Sequence, residues 1–244
     1  MYQLTETDLQ FCQKKEREYL ATREYYLKLY EYSRATMPKT DYQTRYSSHY
    51  AKINPVWYLR QEQGLAQQFA NDLAQYLQET YYLPLQIGYY DFKIERIDKW
   101  TNTVQPALSY QEVLAIIANQ LHTEDFLAFS IQYLRTRFLD CAKNKATVHH
   151  TVLSLSHFVH SCDLLYHVLS LFDTGHPARQ EKYLALPRLN MDDTCGIWHM
   201  VNKTNSGNVV ALKGFKNGKV QVKFVSEVET EVFYQQFCVR EEPQ

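Results

Sequence analysis

Residues 195–244 differ in pattern from everything before them, because short apolar–polar alternations are separated there by turn-forming pairs. Asn217-Gly218 is the sharpest of these signals, since a two-residue type I′ turn needs positive φ at both positions and this pair tolerates it best. Along residues 219–225 the alternation places the apolar side chains on one face of a strand and the lysines on the other. The pattern predicts five short strands, at residues 197–201, 208–213, 219–225, 229–234 and 237–240.

This arrangement of strands resembles a small SH3-like β-barrel of the KOW or Tudor type. The resemblance rests on Trp198, Gly207, the Asn217-Gly218 turn and the alternating strand that follows it. It implies a five-stranded barrel over the C-terminal segment. It leaves the ligand open, because such barrels bind nucleic acid, peptides or modified side chains, and some only brace a neighbouring domain.

The rest of the chain is predicted to be mainly helical. Thr5 begins a long amphipathic helix and Asn54-Pro55 begins a second, so we expect an antiparallel helical hairpin over residues 5–82. A two-residue period predicts a strand or small hairpin at 85–100, and helical periodicity returns over 109–173. The expected fold class is α+β: a helical domain with a small strand insertion at 1–177, a linker at 178–194, and an SH3-like barrel at 195–244.

Composition limits the function classes. The chain has 26 Lys and Arg against 27 Asp and Glu, so nucleic-acid binding would depend on a local patch and not on a general basic excess. The five cysteines form no C-x-x-C pair, which is typical of a reducing compartment. No apolar run reaches the length of a membrane span, and the first residues lack a signal-peptide pattern. We therefore expect an unprocessed cytoplasmic protein without a membrane partner.

A local basic patch is predicted on the strands around the Asn217-Gly218 turn. Its lysines, with an aromatic side chain as a stacking surface, are the residue types that contact phosphates and bases. The alternative is a solvated strand face that keeps the barrel soluble, helped by Glu227, Glu229 and Glu231. About four phosphate contacts would give weak, salt-sensitive binding. The candidate residues are Lys213, Lys216, Lys219, Lys223, Trp198 and Phe215.

The first helix carries a second set of aromatic and basic residues. Tyr19, Tyr26 and Tyr30 lie on one stripe and are expected to pack against the second helix. The helical wheel places Tyr25, Lys28 and Tyr32 outward, where they form a candidate patch for a partner.

Residues 147–172 read as one helix rich in histidine. His160, Asp163 and His167 lie at i, i+3 and i+7, so their side chains could converge on zinc or another divalent cation. The competing explanation is that histidines on a semi-apolar helix face form hydrogen bonds inside a helical bundle. We favour no metal or other cofactor, because the sequence contains no established metal-binding motif such as His-Glu-x-x-His.

The sequence therefore predicts a non-enzymatic adaptor or regulatory protein, an accessory protein of the cytoplasm. Its helical domain would bind a protein partner, and its barrel would bind nucleic acid or another part of the same assembly. Two alternatives stay open: a metal-dependent enzyme with its site on the 147–172 helix, and a structural scaffold subunit. The sequence does not determine the oligomeric state.

Overall fold

The computed structural model describes residues 4–36, 55–85, 97–98, 103–104, 106–143, 145–158, 162–177, 183, 196–201 and 207–239. Its helices are α1 (Glu6–Thr36), α2 (Pro55–Tyr81), α3 (Tyr110–Leu121), α4 (Phe126–Ala142), α5 (Cys162–Thr174) and α6 (Glu227–Phe237). Its strands are β1 (Ile97–Asp98), β2 (Thr103–Val104), β3 (Ala146–His149), β4 (Val152–Leu155), β5 (His199–Met200), β6 (Val209–Gly214) and β7 (Val220–Phe224). Helices and antiparallel strands together confirm the α+β class. None of the described helices is long and apolar enough to cross a membrane.

The chain divides into two compact units. The first comprises Met1–Gln78 and Pro84–Glu124, and the second comprises Glu79–Leu83 and Asp125–Gln244. This division differs from the predicted domains 1–177 and 195–244, because α4, β3, β4 and α5 share one hydrophobic core with the C-terminal strands. Of the predicted linker at 178–194, all but Tyr183 lies outside the described residues.

The first unit contains the predicted antiparallel helical hairpin. Partners on α1 and α2 run in opposite directions: Tyr76 Oη donates to Asp8 Oδ1 (2.8 Å), and the Tyr19 ring stacks on Phe69 with centroids 4.9 Å apart. Tyr19 is only 5% exposed, which confirms that this tyrosine packs in the core. The start of α3 is tied to the hairpin, because the Tyr110 N–H donates to Glu16 Oε1 (3.0 Å).

Local caps explain why α1 and α3 begin where the sequence predicts. The Asp8 N–H donates to Thr5 Oγ1 (3.2 Å), and the Thr5 N–H donates back to Asp8 Oδ2 (2.8 Å). Ser109 and Glu112 form the same reciprocal arrangement at the start of α3. The predicted strand or hairpin at 85–100 falls largely outside the described residues; β1 lies near its end and pairs with β2, which lies beyond it.

The second unit is an open sheet covered by helices on one face. Its five strands are antiparallel, in the order β3-β4-β7-β6-β5. Side chains on the inner face pack with those of α4, α5 and α6 in one core, where Phe233 contacts the rings of Phe138, Phe172 and Phe224. The inner-face residues are Leu153, Leu155, Val209, Leu212, Val220, Val222 and Phe224.

The strands within residues 195–244 do not form the predicted closed barrel. The strands predicted at 197–201 and 219–225 are present in shorter form, and the strand predicted at 208–213 is present one residue later as β6. Residues 229–234 instead belong to α6. Ser226 caps this helix by accepting a hydrogen bond from the Glu229 N–H (3.2 Å). Thr230, Phe233 and Phe237 are buried at helical spacing, so burial follows the 3.6-residue period and overrides the alternation that indicated a strand.

The predicted helix at 147–172 is also wrong for its first part. Residues 146–155 form the β3–β4 hairpin, whose turn places His150 at φ 52°, and α5 begins only at Cys162. β-branched residues at 147, 148, 151 and 152 favour strands, and Leu153 and Leu155 fill the inner face at two-residue spacing. The predicted end of the helix is confirmed: Gly175 follows it at φ 74° and its N–H donates to Leu171 O (2.8 Å).

The hairpin at Asn217-Gly218 is present between β6 and β7, but its turn type differs from the prediction. The Phe215 N–H donates to Lys219 O (2.9 Å) and the Gly218 N–H donates to Phe215 O (3.0 Å). Within this loop Gly218 has positive φ (78°) and Asn217 does not. These bonds define a three-residue loop, a type I turn closed by a left-handed glycine, instead of a type I′ turn.

Candidate nucleic-acid interface

The outer face of the sheet carries the residues that the sequence marked as a basic patch. Strand register places Lys213 opposite Gln221, and Gln221 opposite Ser154. Because His199 pairs with Leu212, the residue before it, Trp198, lies beside Lys213. One row across the outer face therefore reads Thr147, Ser154, Gln221, Lys213 and Trp198.

Lys213 lies close to two aromatic rings. Its Nζ is 5.7 Å from the centroid of the Trp198 ring and 5.0 Å from that of Phe215. Lys219 Nζ lies over the same Phe215 ring at 5.6 Å. Two rings and two ammonium groups thus form one contiguous cluster, which we call the aromatic–lysine cluster.

The remaining lysines of the predicted patch lie close to this cluster along the chain. Lys216 is exposed in the β6–β7 turn. Lys223 is exposed on the outer face of β7, opposite Val152 on β4. The structure therefore places all four predicted lysines on β6, β7 or the loop that joins them.

The three glutamates expected to balance these lysines lie elsewhere in the unit. Glu227, Glu229 and Glu231 all belong to α6, which packs on the inner face of the sheet. Glu227 Oε1 is 2.7 Å from His150 Nδ1, at the end of β7 far from the β6–β7 turn. These three glutamates therefore lie away from the lysines at the β6–β7 turn.

The polar residues of this row were not among the interface residues predicted from the sequence. Gln221 Nε2 donates to Ser154 Oγ (3.0 Å) beside Lys213, and Thr147 lies next to Ser154 in the register. The alternation of 219–225 already placed Gln221 on the outer face. Thr147 and Ser154 were predicted to lie in a helix, so nothing in their local sequence indicated that they would lie on the outer face of the sheet.

The candidate patch on α1 is exposed as predicted. Tyr25 and Tyr32 are 63% and 68% exposed, and the Lys28 side chain is also exposed. Lys28 Nζ lies 2.5 Å from Glu24 Oε1, and the hydrogen bond from Lys28 lowers the pKa of that carboxyl. Because Lys28 is paired within its own helix, this surface offers two tyrosines and little net charge.

The proposed metal ligands are not brought together in the described part of the chain. His167 is buried and its Nδ1 lies 2.7 Å from Pro177 O, whereas Asp163 is exposed in the first turn of α5. His160 lies outside the described residues. No group of three His, Cys, Asp or Glu side chains among the residues described could hold a metal ion.

The chain matches no known protein-family model, no curated protein and no solved structure.

Proposed function

We propose that this protein is a non-enzymatic adaptor or regulatory protein that binds nucleic acid through the outer face of the sheet in its second unit. The observation that carries the proposal is the aromatic–lysine cluster, in which Lys213 Nζ lies within 6 Å of the Trp198 and Phe215 rings. Cations interleaved with partly buried aromatic rings are the chemistry that contacts phosphates and stacks on bases. Glu227, Glu229 and Glu231 lie on α6, away from the aromatic–lysine cluster, which supports a charged face near the turn over a neutral, merely solvated one.

The adaptor role also needs a protein partner, and the exposed tyrosines of α1 support a surface for one on the first unit. Tyr25 and Tyr32 present large amphipathic rings, a residue type that is enriched in protein interfaces. A cytoplasmic location belongs to the same proposal. Cys12, Cys141, Cys162 and Cys238 are free thiols in the structure, as a reducing compartment favours.

The strength of binding follows from the number of lysines. Four phosphate contacts give a slope of log K against log salt of about −3 to −4, so affinity should fall roughly 50- to 150-fold between about 50 and 200 mM salt. Fluorescence anisotropy of labelled oligonucleotides, titrated across this range, measures the slope directly.

The Lys219→Glu/Lys223→Glu variant should lose most of this binding at low salt. Two phosphate contacts are removed and two repelling charges are added, so the salt slope should also fall by about two. Arg137→Glu/Lys143→Glu is the matched control, because it makes the same charge change at two exposed positions, one on α4 and one directly after it, on the helical side of the sheet. Equal losses in both variants, or no binding by the intact protein at low salt, would contradict the proposal.

A further inference from the structure

We propose that the ligand of the outer sheet face is single-stranded nucleic acid, whose bases stack on Trp198 and Phe215 while Gln221 meets a base edge. This inference rests on the proposed function and narrows it from nucleic acid in general to unpaired strands. Three features carry it: the width of the sheet, the rings of the aromatic–lysine cluster, and the polar row beside them.

The sheet is too wide to enter a duplex groove. A major groove about 12 Å wide admits a two-stranded ribbon, whereas five strands spaced about 4.8 Å apart span roughly 19 Å. The β6–β7 hairpin cannot act as a free ribbon, because β6 is paired on its other edge with β5 and β7 with β4. The loop between Phe215 and Lys219 is also held by the chain after β4, because the Phe158 N–H donates to Gly218 O (2.8 Å), so duplex binding would be limited to a few phosphate contacts.

The aromatic rings can stack only on nucleic-acid bases whose faces are not already covered by neighbouring bases. In a duplex each base face is covered by its neighbours, but in a single strand the faces are available to stack on side chains. Trp198 and Phe215 are both partly buried, and both rings lie within 6 Å of Lys213 Nζ. Successive bases could therefore stack on the two rings while the Lys213 ammonium pairs with the phosphate between them.

The polar row supplies hydrogen bonds beyond the rings. An amide side chain carries two N–H donors and an accepting oxygen, so Gln221 can hold its bond to Ser154 and still meet a base edge. Gln221 lies directly opposite Lys213, next to the rings. A duplex presents such edges only inside its grooves, which this sheet cannot enter.

The test measures binding of labelled oligothymidine, oligouridine and a mixed-sequence duplex with the same number of phosphates, using the full chain. We expect both single strands to bind at least about tenfold more tightly than the duplex at the same salt concentration. Trp198→Ala should weaken single-strand binding by about 5- to 150-fold, and Trp198→Phe should recover most of it. The salt slope should not change in either variant, because stacking releases no counterions.

Phe215→Ala is the second variant, for use if Trp198→Ala fails to fold, and thermal melting of each variant checks the fold. Gln221→Ala should weaken single-strand binding less than either ring variant, because one edge contact is lost and both stacking surfaces stay. Duplex binding as tight as single-strand binding would overturn this inference and leave the proposed function standing. The absence of binding to all three probes would overturn both. Unchanged single-strand binding in folded Trp198→Ala and Phe215→Ala would overturn the stacking arrangement.

Discussion

Replacing Phe233 with alanine should lower the free energy of unfolding of the second unit by about 3–5 kcal/mol. The Phe233 ring is fully buried, and its centroid lies 4.9 to 5.8 Å from those of Phe138, Phe172, Phe224 and Phe237. Its removal leaves a cavity where α4, α5, α6 and β7 meet. Alanine is the better helix former, so the loss cannot come from helix propensity. Urea denaturation followed by near- and far-UV circular dichroism measures the change.

The neighbouring Val232→Ala variant is the control, because Val232 is 38% exposed on α6 and should change stability by less than about 1 kcal/mol. The pair of variants also tests the secondary structure. In a strand over 229–234, Phe233 would share a face with Glu229 and Glu231, and its truncation would cost little. A small loss for Phe233→Ala would therefore contradict the helix.

Replacing Arg23 with methionine should destabilise the first unit by about 3 kcal/mol or more. Arg23 Nε lies 2.6 Å from Glu62 Oε1, and the Glu62 side chain is completely buried. Tyr19 Oη also donates to this oxygen (3.3 Å). The other carboxylate oxygen of Glu62 has no hydrogen-bond partner among the described residues, so the arginine is the main compensation for the buried charge. Thermal or urea unfolding of the variant gives the loss.

The double variant Arg23→Met/Glu62→Gln should recover much of this stability. The neutral amide needs no counter-charge, and its carbonyl oxygen can still accept the hydrogen bond from Tyr19. Such a recovery would show that Arg23→Met is destabilised by the uncompensated buried charge of Glu62 and not by the lost packing of the arginine side chain. A double variant as unstable as Arg23→Met alone would show that packing, and not the charge, is responsible.

The parts of the fold that the sequence predicts are those fixed by local chemistry. Thr5, Pro55 and Ser109 mark the starts of α1, α2 and α3 because the cap and the helix it begins are within three residues of each other. The β6–β7 hairpin is likewise visible, since Gly218 supplies the positive φ that the loop needs. Each of these signals is complete within a few neighbouring residues.

The errors arise where distant segments decide the structure. Residues 147–155 contain apolar side chains at helical spacing, but β4 pairs with β7, and that pairing buries Leu153 and Leu155 on the inner face. The alternation at 229–234 indicated a strand, yet the core formed with α4 and α5 buries Phe233 and Phe237 on a helix. In neither case does the sequence of the segment identify the distant residues with which it pairs or packs.

The residues of the candidate interface could be predicted from the sequence, but their contacts with one another could not. Lys213, Lys219, Trp198 and Phe215 were chosen for their chemistry and their places on predicted strands. Their contacts depend on the β5–β6 register, which sets Trp198 beside Lys213. Gln221 and Ser154 meet only because β4 is the neighbour of β7, a contact that the predicted helix at 147–172 excluded.

The order of strands also affects how this protein is made on the ribosome. Val152–Leu155 pairs with Val220–Phe224, so β4 cannot form this pairing until β7 has been synthesised, 65 residues later. At about 5–20 residues per second this interval lasts roughly 3–13 s. During it the nascent chain carries the β3–β4 hairpin with one edge unpaired and Leu153 and Leu155 uncovered, a surface that chaperones bind and that other nascent chains can join. The second unit can close only after its C-terminal end has emerged.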